Sequence, residues 1–323
     1  MELSYSIRLA CLAIVAVGLP LIALEMAISL SARPILSFLQ PLPARIRERL
    51  ICLVQIAPLL AGLLFAGLFC IPQYIRNEPQ AGAERVGWVS PLLAAIILVW
   101  FGISFSRGLR AILHTARFAA ACRRVAEPGA AIRNGIPVLT VPEAAPAIAL
   151  VGLARPFILL SGKALASAQL TEAELRTVLD HESSHARHRD NWKLLTLCAL
   201  PKCPFRLPGG VSWLDHWRNA ADLAADRDAA GSDRGRALAL AQALVTMARH
   251  APASASPLLA CWLSHADCFL QVRVESLLAG SAGSGFPRRL LIIAAVTAAL
   301  VLAGAIAVTP WLDAMSERLL HLG

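Results

Sequence analysis

Four apolar runs constrain this chain more than any other feature: residues 9–30, 50–71, 86–105 and 290–308. Crossing a hydrocarbon core takes about 20 apolar residues in a helix, and each run reaches that length. The 57% apolar content of the 323 residues is too high for an ordinary soluble domain, and with aromatics at 6% the bulk is Ala, Leu, Ile and Val. Of the eight cysteines, Cys11, Cys52, Cys70 and Cys198 fall in apolar runs, where a buried free thiol is the usual outcome. Neither Cys198 with Cys203 nor Cys261 with Cys268 has the C-x-x-C spacing of a metal pair, so a structural role is expected for all of them.

The loops give the runs a direction. Residues 31–49 carry Arg33, Arg45, Arg47 and Arg49 against Glu48, whereas residues 72–87 balance Arg76 and Arg85 with Glu78 and Glu84. Basic loops stay in the cytoplasm, so the first loop is cytoplasmic and the second is not. Arg107, Arg110, Arg117, Arg123 and Arg124 follow the third run, and Arg288 and Arg289 precede the fourth. All four runs then agree on one topology, of the bacterial inner-membrane type, with both termini outside and a long cytoplasmic segment at 107–287. The net charge of +9 sits largely beside these runs, where anionic lipid attracts it, so lipid is the expected partner and no direct nucleic-acid contact is needed. Glu25, near the end of the first run, either reaches the headgroups or has a function inside the membrane.

In the cytoplasmic segment, residues 107–126 predict a basic amphipathic helix that continues the third run along the membrane surface. Next, "IPVLTVPEAAPAIALVGLARPFILLSGKAL" punctuates short aliphatic runs with Pro and Gly, which predicts two or three short strands. An exposed edge at 147–151 is expected there, able to pair with an extended peptide. Thr171 and Glu174 form a capping-box pattern, after which Leu175, Val178, Leu179, Glu182, His185, Arg189 and Trp192 recur at helical steps. One long helix is predicted, ending at "LPKCPFRLPGG", with further helices at 211–230, 234–250 and about 270–278.

That first helix reads "HESSH", with His181, Glu182 and His185 in H-E-x-x-H spacing. Two histidines at i and i+4 on one helix face can bind one Zn2+ through neutral imidazoles, and the Glu beside the first then lies next to the open coordination position. Such a metal makes a bound water acidic, and the neighbouring carboxylate can take its proton as a peptide carbonyl is attacked. A third ligand is expected from "NAADLAADRDAA", where Asp222 and Asp226 are one turn apart. One of the two can bind the metal while the other accepts a ligand histidine's second N–H. His188 lies off this face.

These residues also carry a resemblance. "ALVGLARPFILLSGKAL", "LTEAELRTVLDHESSHARHRDNW", "WLDHWRNAADLAADRDAA" and "RVESLL" resemble, in order, the blocks of the BlaR/MecR-type membrane zinc peptidases, relatives of the HtpX and CAAX prenyl protease group. The likeness covers about residues 137–280. It implies His181 and His185 as zinc ligands, Glu182 as general base and Asp222 as third ligand, where the family has Glu. It further implies Asp226 as the carboxylate orienting a ligand histidine, with Arg189, Asp190 and Arg273 supporting the site. His265 and Asp267 are candidates near the developing oxyanion by their position upstream of Arg273 and not by the resemblance. Asp in place of Glu shortens the arm by one methylene, so its helix must come closer to the metal. The antibiotic-sensing members carry an extracellular penicillin-binding domain after the fourth span, whereas this sequence runs only about a dozen residues past Trp311, so β-lactam sensing through such a domain is not expected.

The expected fold is therefore an α-helical integral membrane protein with four transmembrane helices and an α+β cytoplasmic zincin-like metallopeptidase domain, mostly helical with a small antiparallel sheet. Residues 1–106 hold three spans, 107–287 the peptidase domain, and 288–323 the fourth span and a short external tail. The expected activity is zinc-dependent hydrolysis of a protein substrate, such as a transcriptional repressor, at the cytoplasmic face. A catalytically weak signalling module and a quality-control protease for membrane proteins are the alternatives.

Overall fold

The computed structural model describes residues 4–77, 88–127, 131–143, 148–202, 211–250, 260–262 and 267–280. The expected fourth span at 290–308 and the candidate His265 lie outside these residues, as does Ala147 at the start of the expected strand edge. Three helices in the first 125 residues are long and apolar enough to cross a membrane. The first is α1, Tyr5–Leu30. A short α2, Ala32–Leu39, leads to α3, Ala44–Phe65, which continues through a π-helical turn at Ala66–Cys70 into α4, Ile71–Asn77. The third apolar helix is α5, Val89–Val125.

Close backbone approach sets the packing of these helices. A Cβ on Gly62 of α3 would lie 2.4 Å from the carbonyl oxygen of Val17 on α1, so the two backbones meet where only glycine fits. Small residues at such crossings are what drives association where lipid and side chain are equally apolar. The expected amphipathic helix after the third run is the same helix as that run. At roughly 1.5 Å per residue, the 37 residues of α5 extend about 55 Å, well beyond one span. The distal half of α5 turns Gly108, Ala111, Thr115, Ala119 and Cys122 inward, onto the polar part of the chain.

That part begins with a sheet: β1 Ala131–Arg133, β2 Ile136–Val141, β3 Ile148–Val151, β4 Phe157–Ser161 and β5 Ala260–Trp262, in spatial order β1-β2-β4-β3-β5. The expectation of an antiparallel sheet is corrected. β4 pairs in parallel with β2 while running antiparallel to β3, so the sheet is mixed. The cause is the strand order, since β4 inserts between β2 and β3 instead of following β3 outward. The expected free edge is corrected as well, because β5 pairs with β3 on its other side and the edges are β1 and β5.

Six helices complete the described residues: α6 Gly162–Ala168, α7 Glu172–Arg187, α8 Asp190–Ala199, α9 Trp213–Ala230, α10 Arg234–His250 and α11 Asp267–Ala279. The capping box at the start of α7 forms as expected, with Glu174 N–H donating to Thr171 Oγ1 and Thr171 N–H to Glu174 Oε2. The single long helix does not form. Arg189 is left-handed at φ 55°, ψ 40°, and separates α7 from α8.

Both faces of the sheet are covered, which is why β3 and β4 are buried at every position. On one face Ile148, Leu150, Ile158 and Leu160 pack with Val178 of α7, Leu240 and Leu244 of α10 and Leu277 of α11. On the other, Ala149, Val151, Phe157 and Leu159 meet Ala119 and Cys122 of α5. A separate core joins the apolar helices to the rest, with Leu36, Leu39, Ile51 and Ala111 against Leu194, Leu197, Trp217 and Ala220. No disulfide joins the described cysteines, of which Cys11, Cys52, Cys70 and Cys198 are half-buried, short of the full burial expected, and Cys122 is buried.

Candidate metal centre

The helical spacing of "HESSH" puts His181 and His185 on the inward side of α7, with both rings fully buried and their Nε2 atoms 3.1 Å apart. α9 crosses α7 and delivers Asp222, whose Oδ1 lies 3.4 Å from His185 Nε2. One ligand atom from each of His181, His185 and Asp222 falls within 4.8 Å of the others, so the three can hold one metal ion.

Each imidazole has a carboxylate at its far nitrogen, within hydrogen-bond geometry for His185 and in contact outside that geometry for His181. Asp190 Oδ2 accepts from His185 Nδ1 at 2.8 Å, and Asp226 Oδ1 lies 2.8 Å from His181 Nδ1. With a carboxylate beside each far nitrogen, both Nε2 atoms face the shared space, as is usual around a histidine ligand. Asp190 reaches His185 because of the left-handed turn at Arg189, which brings the first residue of α8 back under the last turns of α7. Arg273 of α11 holds Asp226 in a bidentate pair, Nε to Oδ2 at 2.8 Å and Nη2 to Oδ1 at 2.7 Å. The third nitrogen, Nη1, lies 3.6 Å from Asp222 Oδ2, so one guanidinium supports both carboxylates of α9.

Burial and charge split the protonation states. For His181, burial outweighs Asp226 and holds its pKa below the ordinary value. Burial also opposes charge on His185, but the hydrogen bonds to Asp190 and Asp222 outweigh it and push the ring up to about 10. Burial works against the Asp190 carboxylate too, yet His185 and Lys193 hold it down to about 2. Asp226 is kept well below the carboxylate range by Arg273 and His181, which together overcome burial. The site without a metal is thus one neutral and one charged imidazole among carboxylates, and a metal cation can take the place of the proton on His185.

Glu182 is fully buried, and burial lifts its pKa to about 7 despite the nearby His185 charge. Its Oε2 accepts from the Leu150 N–H of β3 at 2.7 Å. Its Oε1 is shielded from solvent with no hydrogen-bond partner among the described residues. A buried carboxylate oxygen left without a donor beside three potential ligands fits a metal ion with a water on it.

Of the other expected residues, Arg189 is exposed, and no hydrogen bond or ion pair ties it to the cluster among the described residues. Asp267 starts α11. His188 caps the end of α7 and lies 3.2 Å from Asp228 Oδ2, off the face that carries His181 and His185 as its spacing indicated. Sequence reasoning missed a second ring of polar residues. Asn191 donates to the carbonyls of Leu150 and Gly152, so the strand that hydrogen-bonds Glu182 is pinned from both sides. Lys193 and Glu48 extend the Asp190 contact toward α3. Only the Asp190 to Lys193 step, at helical spacing, leaves a trace in the sequence. No family model matches the chain, and no curated protein matches it.

Proposed function

We propose that the chain is a membrane-embedded zinc endopeptidase, with a fourth span at 290–308 and a zincin-like domain at 107–287 facing the cytoplasm. The observation that carries this reading is the convergence of His181, His185 and Asp222 around a buried Glu182 whose second oxygen has no partner among the described residues. The resemblance of the motif blocks to the BlaR/MecR-type peptidases favours a regulatory protein substrate, of the repressor kind. When bound, the ion would supply Lewis acidity, polarising the scissile carbonyl and acidifying a water.

The chain's own residues do the rest. Glu182 takes a proton from the attacking water and returns it to the amine nitrogen as the C–N bond breaks. A carboxylate near pH 7 can both accept and release that proton. The Leu150 N–H holds Glu182 Oε2 and so leaves Oε1 as the atom that exchanges the proton. Asp190 and Asp226 keep the histidine rings fixed, and Arg273 keeps Asp226 ionised.

A second reading is a signalling module with little catalysis. Arg273 Nη1 stands 3.6 Å from Asp222 Oδ2, so the shortened third ligand would share its charge between a metal and a buried guanidinium. Metal analysis of the purified full chain separates the two, beside Asp222→Ala, Asp226→Ala and Glu182→Ala. The expected result is stoichiometric zinc in wild type and Glu182→Ala, loss in Asp222→Ala, and substrate cleavage abolished in Glu182→Ala. Zinc lost only from Asp226→Ala would exchange the two carboxylates. A wild type without zinc, or cleavage that survives Glu182→Ala, would overturn the peptidase reading.

A further inference from the structure

Glu48 lies in the second turn of α3, a helix able to cross a membrane, and is wholly shielded from solvent. A buried carboxylate is costly unless it is paired and hydrogen-bonded. Its oxygens are met by Lys193 Nζ at 2.7 Å and by Arg45 Nη1 at 3.3 Å. Lys193 does not end there, because the same ammonium reaches Asp190 Oδ1 at 2.8 Å. The other oxygen of Asp190 accepts from His185 Nδ1 at 2.8 Å. Three short links therefore run from a membrane-spanning type of helix to a candidate metal ligand, over residues far apart in the sequence.

Neutralising Glu48 would need one cation, and Arg45 on the same helix is already in reach. Lys193 makes the closer contact and is shared with Asp190, so its placement serves the histidine side as well as the glutamate. The position of α3 against the site is itself well defined. Arg45 Nη2 reaches Ser184 Oγ, inside the H-E-x-x-H stretch, at 3.2 Å and Asp228 Oδ2 on α9 at 2.7 Å. Ala44 packs on Leu223 and Ala224, the two residues after Asp222.

We propose that Glu48 is a positioning residue for the candidate metal centre. Through Lys193 and Asp190 it fixes the ring of His185, so that metal affinity depends on where α3 sits against α8. This rests on His181, His185 and Asp222 being metal ligands.

The test is a Zn2+ competition titration on the purified full chain in lipid nanodiscs, with thermal melting of the metal-free protein as a control for folding. Removing an outer partner of a metal ligand weakens binding by about 10- to 100-fold, and Glu48→Gln and Lys193→Met are expected at the lower end, about 10-fold. In an Asp190→Asn background, adding Glu48→Gln should weaken binding no further, because the relay is already cut. Lys193→Arg, which can still bridge two carboxylates, should restore most of the affinity lost in Lys193→Met. If Glu48→Gln does not fold, the Lys193 pair carries the comparison alone. Lowered melting with zinc affinity within about twofold of wild type would mean a purely structural ion pair and overturn the proposal, as would effects that add fully with Asp190→Asn. A wild type that binds no Zn2+ would overturn the metal-centre reading and this proposal with it, whereas a wild type that binds Zn2+ beside an unaffected Glu48→Gln would overturn this proposal only.

Discussion

At the candidate centre the two histidines hold different numbers of protons, and this sets how a metal enters. His185 is raised from an ordinary 6.5 to about 10, so in the metal-free protein it is charged through neutral pH and contributes stability that is full below about 6.5 and fades as pH rises toward 10. A metal at Nε2 must displace that proton. Calorimetry in buffers of differing ionisation enthalpy should find about one proton released per Zn2+ bound at pH 7, with affinity rising by about tenfold per pH unit while that proton is being displaced. Release of none would mean that His185 is already neutral. Arg273 is 3% exposed and opposes the charges of Asp226 and Asp222, so Arg273→Met leaves buried carboxylates unopposed. A loss of about 3–5 kcal/mol is expected, read as a lowered melting temperature of the metal-free chain that saturating Zn2+ partly restores. His181, Glu182 and His185 were legible as a group because helical spacing places them together, whereas the acidic run on a second helix offers Asp222 and Asp226 alike and only the family resemblance chooses between them. Glu48 was not. In the sequence it is one acidic residue in a basic loop, and its meaning depends on a lysine 145 residues away.

Among the elements, those specified by local chemistry follow the sequence closely. The capping box starts α7 where expected, and α10 spans the predicted 234–250. The break at Arg189 was hidden because apolar and polar residues keep helical rhythm straight across it, and the left-handed turn is held by contacts on either side. The sheet misled for a related reason. Short Pro-bounded strands show that strands exist, but their lateral order comes from burying both faces at once, against α5 and against α7 and α10. Helix crossings are set by space. Gly62→Leu places a side chain where the Val17 carbonyl oxygen already stands, 2.4 Å from the first carbon. Overpacking of this kind costs about 1–3 kcal/mol, so a lowered melting temperature in detergent is expected, and an unchanged one would mean that α1 and α3 are not packed this closely.

At the scale of the whole molecule, the apolar helices and the helices that carry the His/His/Asp cluster form one body, because Arg45 of α3 bonds α9 and Trp100 Nε1 of α5 donates to the Lys202 carbonyl beyond α8. The loop before α3 and the sheet-bearing segment must then lie on the same side of any membrane that these helices cross. Cysteines introduced at the exposed Ser37 and Ser167 should react with an impermeant maleimide from one and the same side of sealed vesicles, above the background of the native thiols. Labelling from opposite faces would rule this arrangement out.

The contact between Arg45 and Asp228 joins residues 183 apart in the chain, and Arg273 closes on Asp226 another 47 residues on. Contacts this distant form late, after loop closure has been met by many others. During synthesis, α3 is made long before the histidines, and the histidines before both carboxylates of α9 and the arginine that keeps Asp226 charged. The nascent chain therefore passes through a stage in which its two imidazoles exist without Asp222 and Asp226. Assembly of the cluster has to wait until translation has passed Arg273 and α3 has packed against α9.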